Sequence, residues 1–383
     1  MKILYVLNSS KFGGMEVHVG DLIRGMTQKG HEVFVWCPVG EMMEIYKKDG
    51  AVGFEHKIKF DIDLVYIFNL TKFLKKNSVD IIHAHELKAV INALLAGFLA
   101  GVKVRISHTH TPISEWRINK IKNFFTVLGY GFFINLFSTF EIALTESRRK
   151  IKIKEGINKK KLTVIPNGLD TSKFILSSVQ RYENEKEIKN RYKIPEQAFV
   201  FGNIGRISAE KGHEVLVRAF AKFLETHIFR KENFFLMLVG GGVLEEKIKL
   251  MVEELGIEKN VVITGRFDDV DKIKYLSTFD VFVFPTLAEG FGIVLMESLV
   301  MGIPTICSDL EVLKEVGGDF VDFFKVGDVE DLANKMENEF NRTGGENKFI
   351  IEGAKEFVEK NYSMETFFES YNNLYKKLLG EIK

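Results

Sequence analysis

Short β-rich runs alternating with helix-length amphipathic stretches constrain this chain more than any other feature. The runs fall at residues 3–7, 32–37, 81–83, 104–107, 142–144 and 162–165, then again at 199–203, 235–239, 261–264, 281–284 and 305–307. Between them lie stretches such as 15–29 and 91–100, whose apolar residues recur at helical spacing. Strands alternating with helices build parallel sheets, because a parallel pair needs a crossover long enough to hold a helix. The first series stops at IPNGLD (165–170), a turn signal, and a polar, Glu- and Lys-rich segment (177–195) precedes the second. The expected fold class is therefore α/β, with two parallel-sheet domains facing each other, residues 1–170 and 171–361. Residues 362–383 carry an amphipathic helix pattern with Phe367, Phe368, Tyr371, Leu374 and Leu378 on one face. Such a helix suits either closing the second domain or packing back on the first.

A chain of 383 residues, 46% hydrophobic and 27% charged, has enough apolar material for two cores, which excludes disordered, collagen-like and disulfide-scaffold classes. Cys37 and Cys307 sit far apart in apolar, strand-like settings, which points to buried reduced thiols rather than a bridge or a metal site. Met1-Lys2 runs directly into a strand-like segment without a cleavage signal, so the cytosol is the expected compartment.

The net charge of +1 hides an asymmetry. Residues 1–175 hold 26 Lys and Arg against 16 Asp and Glu, whereas the remainder holds 27 against 36. A basic N-terminal half suggests an anionic counterpart, and RRKIKIKEGINKKK (148–161) is its densest run. Beside it, the Phe-rich stretch 124–140 is broken by Gly129, Gly131, Asn135 and Ser138 and is marginal for a ~30 Å hydrocarbon core. Flanked by Arg117, Lys120 and Lys122 on one side and by 148–154 on the other, it fits a core helix or a helix half-immersed in an anionic bilayer surface.

In open α/β sheets the chemistry sits in loops at the carboxyl ends of strands. The first such loop has Gly13-Gly14 before a helix, where bare N–H groups can approach a phosphate. The loop after 199–203 carries Arg206 and Lys211 around a turn; a guanidinium fork plus a mobile ammonium suits a diphosphate. The loop after 281–284 is the strongest. There Glu289 and Glu297 flank Gly290-Phe291-Gly292, and a helix opens at about Ile293, so acids suited to vicinal hydroxyls converge with unobstructed backbone.

Nine stretches, in order, carry a family resemblance: FGGMEVHV, GHEVFV, DIIHAHE, RISHTH, VIPNGLD, GRISAEKG, LVGGG, ITGRF and AEGFGIVLMESLVMGIPTICSD. Together they resemble the retaining glycosyltransferases of family 4, which have the GT-B fold of two Rossmann-like domains across a deep cleft. RISHTH is similar to members that assemble capsular or exopolysaccharide. The resemblance implies transfer of a sugar from a nucleotide diphosphate sugar, a UDP-sugar before GDP-mannose, to a lipid-linked or saccharide acceptor. It implies a donor site made mostly by the C-terminal domain. Arg206 and Lys211 would stabilise the departing diphosphate, Glu297 would hold the ribose hydroxyls, and Glu289 the sugar hydroxyls. Backbone groups of Gly290, Phe291, Gly292, Ile293 and Val294 would touch sugar and phosphate, and Gly14 would offer its N–H to the diphosphate. A histidine after the strand VRISHTH, His110 before His108, would touch the transferred sugar. Glu16, His18 and His85 would line the acceptor side; His83 reads as a satisfied loop histidine, and Asn167-Gly168 matches the interdomain turn.

With charge handled by side chains and helix termini, the expected chemistry needs no metal or other cofactor. Asp61-Ile62-Asp63 reads as a chance match to the D-x-D of metal-dependent transferases, and no His/Cys cluster shows zinc spacing. The resemblance implies same-face attack, the leaving phosphate helping to deprotonate the acceptor. An epimerase of the same fold is the alternative. An NAD-dependent enzyme is disfavoured because Gly240-Gly241-Gly242 lacks G-x-G-x-x-G spacing, and a nucleic-acid module lacks an aromatic recognition motif.

Overall fold

The computed structural model describes residues 1–11, 13–116, 119–342 and 344–380, with 344–351 described by backbone alone. Phe12 in the first glycine loop, Arg117 beside the Phe-rich stretch, and the last three residues of the C-terminal helix pattern lie outside the described residues. The chain forms two units, Met1–Gly168 with Met364–Lys383, and Leu169–Ser363.

Seven strands make the first unit: β1 (Lys2–Val6), β2 (Glu32–Cys37), β3 (Val52–Glu55), β4 (Ile81–His85), β5 (Val104–His108), β6 (Phe140–Ala143) and β7 (Leu162–Val164). They pair in parallel in the order β3-β2-β1-β4-β5-β6-β7. Six strands make the second: β8 (Phe199–Ile204), β9 (Phe234–Val239), β10 (Val261–Ile263), β11 (Val281–Phe284), β12 (Thr305–Ser308) and β13 (Asp322–Phe324). Their order is β10-β9-β8-β11-β12-β13, again all parallel. Central strands such as β9 and β11 are unbroken apolar runs, and β1 is one after Lys2, as suits strands covered on both faces.

In each unit the strand order reverses once, between β1 and β4 and between β8 and β11. Chains leaving the two strands at that point turn to opposite faces and open a crevice. The loops flanking these two switch points are the four that follow β1, β4, β8 and β11.

Sequence spacing does not reveal β3 and β13. Both are short edge strands, four and three residues, with exposed or half-exposed positions, so neither shows a long apolar run. The final helix, Met364–Leu379, belongs to the first unit, where Phe367, Tyr371 and Tyr375 join the core with β1 and the helix Gly14–Gln28. Tyr375 hydroxyl bonds both Tyr5 (3.2 Å) and His83 (2.8 Å).

The helix Lys120–Phe137 buries only Tyr130, Gly131 and Ile134. Ile121, Phe124, Phe125, Leu128, Phe132 and Leu136 are each more than half exposed, so most of it is not core. Among the described residues no helix is long and apolar enough to cross a membrane.

The basic run 148–161 is not one solvated face. Arg148 is buried and paired with Glu115, and Lys152 is fully buried on Glu141 and Thr109. Lys161 donates to the carbonyls of Asn135 and Ser138, both at 2.6 Å, and so caps the Phe-rich helix. Lys150, Lys154, Lys159 and Lys160 remain exposed.

Candidate active site

In the second unit the loops after β8 and β11 are held against each other. Leu287 N–H donates to the carbonyl of Glu210 at 2.7 Å, as does the Thr286 hydroxyl at 3.0 Å. Gly212 has φ +68°, and a Cβ there would lie 2.0 Å from the Pro285 carbonyl oxygen, so only glycine lets the loops close this far. The glycines after β9 support the same turn: Ile207 N–H donates to Gly241 O at 3.1 Å.

This packing brings Lys211 and Glu289 together, Nζ to Oε2 at 2.6 Å, although 78 residues separate them in sequence. Arg206 is exposed on the same turn. Burial alone would raise the Glu210 carboxyl, but the Ser208 hydroxyl, a backbone N–H and the Arg206 and Lys211 charges outweigh it and hold it below the usual range. The turn thus holds an ionised Glu210 beside Arg206 and Lys211, with the Arg206 guanidinium at its open side.

Gly292, at φ +98°, is the N-cap of the helix Ile293–Val300, and no side chain caps that end. Gly290 N–H donates to Glu289 Oε1 at 3.0 Å, so in this structure it serves the carboxylate. Phe291 is buried edge-on against Tyr362, 5.7 Å between ring centroids, which anchors the loop from below. Glu297 points inward from the helix and is buried, with Oε1 accepting from Lys272 at 2.9 Å. Burial pushes its carboxyl up, and Lys272 works against that. Lys272 had no signal in the sequence: it lies 25 residues upstream on a different helix.

The first unit builds its switch point differently. Gly14 opens the helix Gly14–Gln28 with no side-chain cap, and a Cβ on it would meet nothing within 4 Å. Glu16 and His18 follow on the buried face. His83 and His85 belong to β4 itself, not to a loop; the strand runs two residues further than its apolar run suggests. His108 ends β5 and His110 stands two residues beyond.

Folding brings His18, His85, His108 and His110 together, with one ring nitrogen of each within 4.8 Å of the others. Linear spacing could not show this cluster, because the four come from a helix, two strands and a loop. Burial lowers all four below the usual histidine range, His18 to about 4 against the opposing Asn167 hydrogen bond, and neighbouring imidazoles add to the effect at His85, His108 and His110, so they are neutral at pH 7. Asn167, expected as turn, accepts from His18 Nδ1 at 2.8 Å. Gly168 lets the last helix approach, since a Cβ there would lie 2.7 Å from Phe367.

Glu86 is a further candidate that the motif DIIHAHE contains but whose role spacing does not reveal. It holds φ +67°, a strained value for a residue with a side chain. Its carboxyl is pushed up to about 7 by burial and by nearby Glu16.

Asp63 is a helix cap: its side chain accepts from Tyr66 N at 3.0 Å and Lys59 N at 3.0 Å. Asp61 is exposed and pairs with Lys88 at 3.1 Å.

Two family models match consecutive parts of the chain, "Glycosyltransferase Family 4" over residues 12–173 and "Glycosyl transferases group 1" over 184–357. The chain belongs to glycosyltransferase family 4. Among its relatives is the Escherichia coli UDP-Gal:alpha-D-GlcNAc-diphosphoundecaprenol alpha-1,3-galactosyltransferase, 28% identical over 72% of this chain and 70% of that one. The Staphylococcus aureus capsular polysaccharide biosynthesis glycosyltransferase CapM is 25% identical over 94% of each chain. The crystal structure of Anabaena HepE in complex with UDP and glucose covers 98% of this glycosyltransferase and 100% of its own chain, with TM-score 0.82 and 19% identity. That likeness shows the GT-B fold.

Proposed function

We propose that this glycosyltransferase moves a sugar from a nucleotide diphosphate sugar, a UDP-sugar before GDP-mannose, to a hydroxyl of a lipid-linked or saccharide acceptor in polysaccharide assembly, with retention of configuration. The observation that carries this reading is the convergence of Arg206, Lys211 and Glu289 at the switch point of the second unit, beside the uncapped helix start at Ile293. A departing diphosphate needs positive charge that is in place before reaction, and a guanidinium, an ammonium and a helix N-terminus supply it. Arg206 and Lys211 take the diphosphate, and Lys211 exchanges part of its ion pair with Glu289 for phosphate oxygen. Glu289, freed in part, accepts from sugar hydroxyls, and the backbone of Gly290, Phe291, Gly292, Ile293 and Val294 lines the sugar and phosphate. Glu297, oriented by Lys272, takes the ribose hydroxyls. With this charge in place the transfer itself needs no metal.

From the first unit, Gly14 offers its N–H to the diphosphate and His110 faces the transferred sugar, while Glu16, His18, His85 and His108 line the acceptor side. Same-face attack, with the leaving phosphate taking the acceptor proton, gives retention. The names of the relatives support a UDP-sugar and an undecaprenol-linked or capsular acceptor.

The exposed helix Lys120–Phe137 supports attachment to an anionic membrane surface on the cytoplasmic side, where a lipid-linked acceptor would be met. Asn135 ties this helix to the basic segment through Gly156 O and Asn158 N, both at 2.8 Å, so the C-terminal end of the helix lies beside the segment that carries Lys159 and Lys160. Thermal unfolding with UDP, GDP and ADP tests the donor assignment. Stabilisation by UDP or GDP but not ADP is expected; no stabilisation by any of the three contradicts it.

A further inference from the structure

We propose that His18, His85, His108 and His110 form a binding site for one divalent transition-metal ion, Zn²⁺ by its chemistry, within the first unit. The four ring nitrogens already lie within 4.8 Å of one another. His85 Nδ1 and His110 Nε2 stand 3.3 Å apart. A tetrahedral ion with Zn–N bonds of ~2.0–2.1 Å separates its ligands by about 3.3–3.4 Å, so this pair is already at ligand spacing. The other two need shifts of about an ångström, within reach of ring rotation about χ1 and χ2.

The second observation is the lack of other partners. His108 is fully buried, and neither of its ring nitrogens has a hydrogen-bond partner; Nε2 of fully buried His85 has none either. Buried imidazole nitrogens without partners cost free energy, and native interiors rarely leave several side by side. A shared cation takes one nitrogen from each ring, His85 through Nδ1, and so gives His108 the partner it otherwise lacks. All four rings are in the neutral form that ligates.

An outer partner is also present. Asn167 Oδ1 accepts from His18 Nδ1, which fixes that ring and leaves Nε2 as the ligating atom. The Tyr371 hydroxyl lies 3.5 Å from the same Nε2 and would yield it to the ion. Glu16 precedes His18 by two residues and Glu86 directly follows His85, so acids border the site in sequence. Imidazoles without carboxylate ligands select Zn²⁺, Co²⁺ or Ni²⁺ and disfavour Mg²⁺ and Mn²⁺, which prefer oxygen.

This site stands apart from the transfer reading, because it is read by metal coordination and not by activity. The two share all four histidines, His110 at the transferred sugar and the others on the acceptor side, so an ion held here competes with the acceptor and does not assist transfer. The test uses the full chain without a polyhistidine tag, stripped with chelator and dialysed. Zn²⁺ calorimetry and Co²⁺ absorption should give one ion per chain with a tetrahedral cobalt spectrum, unaffected by excess Mg²⁺. His85→Gln and His108→Gln should each weaken Zn²⁺ binding about 100-fold or more. Should either variant fail to fold, X-ray absorption at the zinc edge of the wild type decides. At least three imidazole nitrogens at ~2.0 Å are expected. No zinc uptake, a shell with fewer imidazoles, or unchanged affinity in folded variants overturns the proposal.

Discussion

The two switch points of this molecule share one topology and carry opposite chemistry. In the second unit the crevice is lined by charges that pair across loops, Lys211 with Glu289, and between helices, Lys272 with Glu297. In the first unit it is lined by imidazoles that burial keeps neutral. Net charge runs the other way: the cationic clamp belongs to the acidic half of the chain and the neutral cluster to the basic half. A site's charge is thus set by which side chains a few loops converge, and the sum over a domain speaks only to its outer surface. The basic surplus of the first half is spent partly on interior pairs such as Lys152–Glu141 and partly on exposed lysines beside the Phe-rich helix.

The largest effect should come from dismantling the charged side of this contrast. Arg206→Ala and Lys211→Ala should each lower turnover about 10²–10³-fold, the range for lost transition-state charge stabilisation. The second variant also removes the Lys211–Glu289 ion pair. Near-normal steady-state rates in both would remove the clamp from the account.

The neutral side should reveal itself through pH. Glu86 holds its proton to about 7 in the folded chain, against an ordinary glutamate value of ~4.3 when unfolded. Between those values the folded state binds the extra proton, so this residue makes stability fall as pH rises from about 4 to about 7, by at most about 4 kcal/mol. Glu86→Gln should flatten that part of the profile, as read by denaturant unfolding at pH 5 and pH 8. An unchanged slope would mean that Glu86 is ionised in the fold.

A smaller effect concerns the outer surface. Lys159→Glu with Lys160→Glu should weaken co-sedimentation with anionic vesicles by about 2 kcal/mol or more, since each basic residue near the leaflet adds ~1 kcal/mol. UDP binding should be untouched. Lys161 is left in place because it caps the helix Lys120–Phe137. Salt at 1 M, where the Debye length is ~3 Å, should also release the wild type. Indifference of the wild type to anionic vesicles at low salt would leave the exposed Phe side chains without a membrane role.

The smallest effect expected is that of chelation. EDTA should not lower transfer, because the diphosphate is met by side chains and helix termini. Loss of activity restored by Mn²⁺ or Mg²⁺ would shift the charge-handling role to a metal.

The rhythm of strands was readable because buried parallel strands are continuous apolar runs, as in FFLMLV of β9. The start of the helix at Ile293 was readable too, because Gly292 marks it. Pairings made only by the tertiary fold were not. Nothing local ties Lys272 to Glu297, or His18 to His108, and the capping role of Asp63, read in the sequence only as half of a chance D-x-D match, rests on two N–H donors that the fold supplies. β13 escapes because an acid opens its three residues, Asp322-Phe323-Phe324, and leaves no apolar run of strand length.

The central claim is that the charged crevice serves group transfer from a nucleotide sugar. Its most direct test is an assay of free nucleotide diphosphate across a panel of UDP- and GDP-sugars, with and without an undecaprenyl-diphosphate sugar acceptor. The account predicts acceptor-dependent release of UDP or GDP from one donor, matched by a glycosylated lipid product and abolished in the Lys211→Ala variant. Release from no donor, or conversion of the nucleotide sugar to its epimer without a glycosylated product, would contradict it.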